Sequence, residues 1–522
     1  MVVKGSIKRG EYFDSITLMR LGRELSGLAG VQDGAIVMGN RENLAILEAS
    51  GLLAPGFAQA GETDLLIAVK AADETTADRA LKEAVALIRR VRQRSPRTDA
   101  PRPRSLRDAL EVLPDANLAL ISVAGRHAAA EARRALERGL HVMLFSDNVS
   151  LADEIALKRQ ALQQGLLCMG PDCGTAIVNG VPLGFANAVR RGNVGIVAAA
   201  GTGLQEVSSL ICQEGGGVSQ AIGTGGRDIK KDVGGLMFVA GMQALGRDPQ
   251  TEVILLVAKP PHPDTLATIL QAAGTIGKPL VTVFLGASTE ELRAGGLIAV
   301  ETLEEGALLA WLLARDGPRN LDLAMAELER RRRERREYLR WLARAEAARR
   351  RREQRYLRGL FSGGTFCSEA QWLLRDLGDE LYANAPFGQA QRLPDALHSQ
   401  GHCVVDLGED EFTVGRPHPM IDFSLRNRRI LEESRQKDVA VLLLDVVLGF
   451  GAHPAPETEL VPVLGEAARQ VSVICSVTGT AEDPQDREKV SRALQEAGAQ
   501  VMSSNAAACQ LAASILEILR SR

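Results

Sequence analysis

Short runs of aliphatic residues recur along most of this chain, each followed by a glycine-rich turn or by an amphipathic helical stretch. Leu118–Val123, His141–Phe145, Val194–Ala198, Val253–Ala258, Pro279–Leu285, Cys403–Leu407, Ala440–Asp445 and Val471–Val477 are such runs. A strand that is apolar at consecutive positions, rather than alternate ones, must be covered on both faces. Strands of this kind separated by helices of roughly ten to fifteen residues pair in parallel. The pattern predicts an α/β protein: several Rossmann-like or flavodoxin-like, doubly wound parallel sheets, plus a small N-terminal α/β domain.

The length of 522 residues, at about 100–200 residues per domain, predicts three or four domains. The stretch 1–95 reads as a small βαβ unit, with strands at 2–7, 34–38 and 64–69, helices at 15–28 and 75–90, and a short helix at 44–49. The polar, Pro-rich segment 94–104 reads as a linker. Further domains are expected at 105–165, 166–320 and 359–522. Between the last two, Arg330–Arg358 carries 14 arginines against 4 glutamates in a chain whose net charge is −3. Interleaved glutamates, with Leu339 and Leu342 as a narrow apolar seam, make 321–358 a solvated helical linker rather than a nucleic-acid surface. No apolar run approaches the length of a membrane span, and Met1-Val-Val-Lys-Gly shows no signal-peptide pattern. The seven cysteines include no C-x-x-C pair, which fits reduced thiols in the cytoplasm. A secreted, membrane or collagen-like protein is excluded by these features.

Candidate chemistry sits at strand ends. After the Val194–Ala198 run, Gly201-Thr202-Gly203 opens a helix whose first amides have no internal partner and attract a phosphate or carboxylate. The Rossmann fingerprint needs a third glycine where this chain has Glu206, so a dinucleotide is weakly supported. Gly170-Pro171-Asp172-Cys173-Gly174 also ends a strand; Cys173 is either a nucleophile or a packing residue there. Two loops in the last domain repeat the theme. Phe361-Ser362-Gly363-Gly364-Thr365 leads into a helix containing Glu369, and Asp445 precedes Gly449-Phe450-Gly451-Ala452-His453. Asp406, Glu409, Asp410, His418 and Asp422 form an acidic cluster around a histidine, but their spacing matches no defined metal loop. No metal site is assigned.

The segments 170–177, 192–206, 216–228, 361–367, 415–422 and 448–453 resemble the FdrA family, whose members are distantly similar to succinyl-CoA synthetase. By that resemblance, 105–165 corresponds to the later part of a CoA-binding domain and 166–315 to the flavodoxin-like domain of the synthetase α subunit. Residues 359–522 correspond to the C-terminal domain of its β subunit. The synthetase's phosphorylated histidine has no counterpart, because this chain has no His from 263 to 397. Glu206 matches the glutamate that orients that histidine. The Gly-rich nucleotide loop has no equivalent near residue 105, so the resemblance makes no cofactor certain and leaves CoA or a nucleotide open.

The resemblance implies a cytoplasmic group-transfer subunit, working with other protein subunits and as a homo-oligomer, without nucleic acid or membrane. Its substrate would be carbamoyl phosphate or another acyl phosphate, in a carbamoyltransferase of the oxamate type. Cys173, Gly174, Thr202 and Gly203 are expected to hold the phosphate at paired helix starts. Arg227 is the expected cation, with Asp445 orienting the nucleophile and Glu206 as a further catalytic candidate. An acyl-CoA synthetase-like ligase and a non-catalytic scaffold or metabolite sensor are the alternatives.

Overall fold

The computed structural model describes the whole chain except residues 12, 14, 41–42, 45–46, 49, 62–63, 95–102, 104, 318–319, 378–379 and 414–416. Nearly all of the expected 94–104 linker, and much of the expected 44–49 helix, therefore lie outside the described residues. Two compact units are present, 1–102 with 410–418, and 103–409 with 419–522.

In the first unit, strand Leu65–Ala71 is the centre of a three-stranded sheet and runs antiparallel to both Val2–Lys8 and Val31–Met38. The helices Ser15–Ser26 and Glu74–Arg94 complete it. Alternate side chains of a strand point to opposite faces. Accordingly, Leu65, Ile67 and Val69 enter a core with Leu18, Leu21, Leu25, Ala80 and Ala84. Leu66 and Ala68 enter another with Leu47, Leu52 and Phe57. The βαβ reading holds in a split form, because the strand between the two parallel ones is antiparallel to both.

The second unit contains three sheets. A small parallel sheet is built from Leu118–Ile121, His141–Leu144 and Cys168–Met169. A seven-stranded sheet has the order 298–299, 280–284, 253–258, 191–198, 218–223, 175–178, 181–184. It is parallel from its first strand to Val218–Gly223; the last two strands are antiparallel. Another seven-stranded sheet, parallel throughout, runs 391–392, 381–383, 402–406, 356–361, 439–447, 472–478, 500–502. Val253–Ala258 and Val439–Val447 are buried at every position, as continuous aliphatic runs require.

One hydrophobic core joins the two large sheets, reaching from Ile196 and Leu255 to Leu443 and Ile474. The helix Gly201–Gln213 lies within it and is buried continuously from Gly203 to Cys212. It is covered by both halves even though it carries Gln205, Glu206, Ser208 and Ser209. Leu321–Ala348 contributes Ala324, Leu328, Leu339, Leu342 and Ala343 to the same core and packs along the C-terminal helix Asn505–Arg520. Several of its arginines are consumed in ion pairs: Arg330 with Glu327, Arg331 with Glu214, Arg332 with Glu305 and Arg335 with Glu304. No helix among the described residues is long and apolar enough to cross a membrane.

Candidate functional site

The strand Arg191–Ala198 ends at Ala199-Ala200, and the helix Gly201–Gln213 starts there with no side-chain cap. In the other half, Tyr356–Phe361 ends at Ser362-Gly363, and Gly364–Leu373 likewise starts without a side-chain cap. Some other helices of this unit are capped by a hydroxyl, as at Ser105, Ser150, Ser288, Thr302 and Ser504, while Gly125–Leu136, Leu236–Arg247 and Pro456–Ala467 also start without a side-chain cap of their own. The Gly201 and Gly364 starts touch: the Thr365 amide donates to Thr202 Oγ1 at 3.3 Å. A Cβ on Gly203 would lie 3.0 Å from Thr365 Cγ2, and one on Gly363 would lie 2.9 Å from the Thr202 hydroxyl. Glycine is what allows this approach. The amides of Gly201, Thr202, Gly203 and Gly364 meet no acceptor among the described residues, and Gly201 is exposed while Thr202 and Gly364 are half-buried. Each helix start carries about half a positive charge, so the junction attracts an anion.

One buried carboxyl stands beside it. Asp406 ends the strand His402–Asp406 and is 4% exposed. Its Oδ1 accepts the Gly408 amide at 2.9 Å, while Oδ2 would sit 2.7 Å from a Cβ placed on Gly364. Burial raises this carboxyl to about 7, against the lowering effects of the Gly408 amide and of Lys259. Lys259 follows the strand Val253–Ala258, and its ammonium acts on both Asp406 and the buried Cys367 thiol. The turn after Leu280–Phe284 is Gly286-Ala287-Ser288. Gly286 has φ +78°, and a Cβ there would meet Phe387 at 3.1 Å and Trp372 at 3.4 Å. Ser288 caps the next helix through the Glu291 amide.

The residues singled out from the sequence are distributed differently from expectation. No helix starts at 173–175; Thr175–Val178 is a β-strand hairpinned to Val181–Gly184. The Cys173 amide donates to Leu144 O and its thiol to Gly223 O, and burial pushes the thiol up to about 12. Neither group is left for an anion, and Cys173 is a packing residue. Gly174 is committed through its carbonyl to the Phe185 amide. The expected pairing of 173–175 with 202–204 is thus replaced by 201–203 with 363–365, because it is the helix after Phe361 that shares the buried layer with Gly201–Gln213.

Asp445 is fully buried and fully used. It accepts the amides of Ser362 and Gly363, each at 2.8 Å, and the Ser362 hydroxyl at 2.9 Å, and pairs with buried Arg426 at 3.2 Å. Its task is to shape the turn that presents Gly364, not to orient a nucleophile. Glu206 accepts Thr478 Oγ1 at 2.5 Å and the Asn505 amide at 3.0 Å, and burial raises its carboxyl. It joins the two halves instead of pointing at a reacting group. Arg227 pairs with Glu154 at 2.8 Å and donates to Val149 O. There it borders the buried Lys158, Glu154 and Asp228 cluster, which anchors the start of helix Leu236–Arg247 through the Asp228 bonds to the Met237 and Phe238 amides. Gly449 (φ +109°) and Gly451 (φ +83°) let their loop close on Ala186 and Phe185. In the acidic cluster, Asp422 caps the Ser424 amide and burial lowers the His418 imidazole to about 4. No group of three His, Cys, Asp or Glu among the described residues is arranged to hold a metal ion.

Lys259 is not singled out by the sequence; the loop with Gly364 and Thr365 is noted there without a ligand role, and Asp406 is placed in an acidic cluster to which no metal is assigned. The available signal was the repetition of strand, glycine turn and helix at 194–204 and 357–367.

Residues 360–515 match the CoA-ligase family, and residues 1–103 match a family described as AllF, heavy metal-associated domain. The first 103 residues contain neither cysteine nor histidine, so no thiolate or imidazole donor for a heavy-metal site is present in them. Across 97% of both chains, over 512 residues, the protein is 40% identical to YahF of Escherichia coli (strain K12). It is 31% identical over 182 residues to the mitochondrial succinate–CoA ligase [ADP-forming] subunit alpha-2 of Trichomonas vaginalis, covering 33% of this chain and 58% of that one. Among solved structures, the apo dinucleotide-forming acetyl-coenzyme A synthetase 1 of Ca. Korarchaeum cryptofilum aligns over 78% of this chain and 84% of that one, at 14% identity and a TM-score of 0.33. With YahF as its full-length relative and a CoA-ligase domain at its C-terminal end, the chain belongs to the FdrA family of succinyl-CoA-synthetase-like proteins.

Proposed function

We propose that this protein is an acyl-group-transfer enzyme of the CoA-ligase type, seating an acyl phosphate, or the phosphate released from it, where the Gly201 and Gly364 helices begin. The observation that carries this reading is the contact between those two uncapped starts through the Thr365 amide and Thr202 Oγ1. Aligned amides from two directions, with Lys259 nearby, offer positive potential to a dianion without reorganisation during the reaction. The match to CoA-ligase relatives supports acyl transfer to or from CoA as the reaction class.

The absence of histidine from 263 to 397 favours a narrower second reading. A donor that arrives already activated needs no phosphorylated side chain, and carbamoyl phosphate is such a donor. Comparing acetyl phosphate, carbamoyl phosphate, CoA and ATP by thermal shift tests both. The first reading expects acetyl phosphate and CoA each to raise Tm; the second expects carbamoyl phosphate alone to do so. Stabilisation by none of the four would refute both.

A further inference from the structure

Among the described residues, Asp406 is the one carboxylate beside the helix starts that internal bonds leave half unused. Oδ1 is taken by the Gly408 amide, and nothing among the described residues donates to Oδ2, which is aimed at the Gly364 helix start. The neighbouring acids are committed. Asp445 is held by Ser362, Gly363 and Arg426. Glu206 is held by Thr478 and Asn505, and Glu369 by Leu303 and Asn505. The charged or titratable groups acting on Asp406 are Lys259 from the opposite half, Asp445 and the Cys367 thiol from the adjoining strand and helix, and Glu409 from its own loop. Lys259 is the cation of that set.

We propose that Asp406 handles the proton of acyl transfer beside Gly364, with Lys259 as counter-charge to the departing phosphate; this rests on the reading that a phosphate sits at the two helix starts. A nucleophile H–X attacks the acyl carbon of the acyl phosphate. The X–C bond forms, and the bond from that carbon to the phosphate oxygen breaks. The electron pair of the broken bond leaves on the phosphate, facing Lys259 and the free amides, while the proton from X passes to Oδ2 of ionised Asp406. Asp406 then gives it to the departing phosphate or to water, and no phosphorylated side chain is needed for the balance. The same group in its protonated form donates a hydrogen bond to a bound dianion, and in its ionised form repels one.

Asp406→Asn keeps an oxygen for the Gly408 amide and removes the titration. Calorimetric titration of the full chain with sulfate, whose charge is constant over the range, is to be run from about pH 5.5 to about pH 8.5. Wild-type affinity is expected to fall about tenfold as Asp406 ionises, while D406N binds independently of pH. Lys259→Gln should bind sulfate more weakly but keep the pH dependence. With acetyl phosphate and CoA, the wild-type rate should rise with pH to a plateau, and D406N should be about 100-fold or more slower with no inflection. A D406N protein that is folded by thermal scan and retains the wild-type pH dependence of sulfate binding overturns the proposal. Failure of wild type and D406N alike to bind sulfate or acetyl phosphate overturns the phosphate seat itself, and with it the proposal.

Discussion

Asp406 ends, and Asp445 lies two residues before the end of, the two strands that flank Tyr356–Phe361 in one parallel sheet, so they share residue type, the C-terminal side of the sheet and near-total burial. They do opposite things. Asp445 has an amide, a hydroxyl or a guanidinium for each lone-pair direction. Asp406 has one amide, and its other oxygen meets no donor among the described residues and faces Gly364; burial raises its carboxyl to about 7. Two buried carboxylates are therefore distinguished by hydrogen-bond accounting, not by burial. One builds the site, and the other is available to work in it.

The largest expected effect that sharpens this contrast is on stability. Asp445→Ala leaves Arg426 as an unpaired charge, 1% exposed in the core, and frees the 362–363 turn. A loss of about 3–5 kcal/mol is expected by denaturant unfolding. A loss below about 1 kcal/mol would erase the distinction between the two aspartates. Gly364→Ala should follow, because the added methyl meets Asp406 Oδ2 at 2.7 Å. Overpacking of this kind costs about 1–3 kcal/mol, and sulfate binding should disappear with it. Unchanged binding would show that the opening beside Gly364 is not where the anion enters.

Two smaller effects concern pH. Asp406 has its folded carboxyl raised to about 7 from an ordinary 3.8, and Glu369 has its own raised to about 7 from 4.5, burial being the first cause of both. The folded state thus binds these protons more tightly than the unfolded chain. Stability is expected to decline as pH rises from about 4 to about 7 and then to level off. Asp406→Asn and Glu369→Gln should each flatten part of that decline in a pH series of urea midpoints. An unchanged slope in both variants would contradict the raised carboxyls. The smallest effect belongs to Cys173→Ala, whose thiol is held up at about 12 by burial. It should change acyl transfer by less than about twofold and remove no site of alkylation at pH 8. A large rate loss would restore Cys173 to the reaction.

Much of this organisation was readable without coordinates. The aliphatic runs at 194–198, 253–258, 440–445 and 471–477 identify central strands because few other structures need side chains covered on both sides. The glycine turns at 201–203 and 363–364 mark close approaches, for which a missing Cβ is the only chemical advantage. The Asp445 role was misread because its position, after an aliphatic strand and before a glycine loop, is the same local pattern that a catalytic carboxylate shows. Its partners Ser362, Gly363 and Arg426 lie between 19 and 83 residues away, beyond any window of periodicity.

What the sequence by itself determined is the alternation of covered strands and helices, and the set of glycine turns at which a backbone amide lies open to a ligand. Which two of those turns face each other was decided only in the tertiary structure. The buried layer shared by both large sheets brings Thr365 to Thr202 across 163 positions of chain and leaves Cys173 inside a strand-end packing site. Local patterns describe what each segment must bury or expose. The partner that does the covering is chosen by the packing of whole sheets, and so is the carboxylate left with an unpaired oxygen.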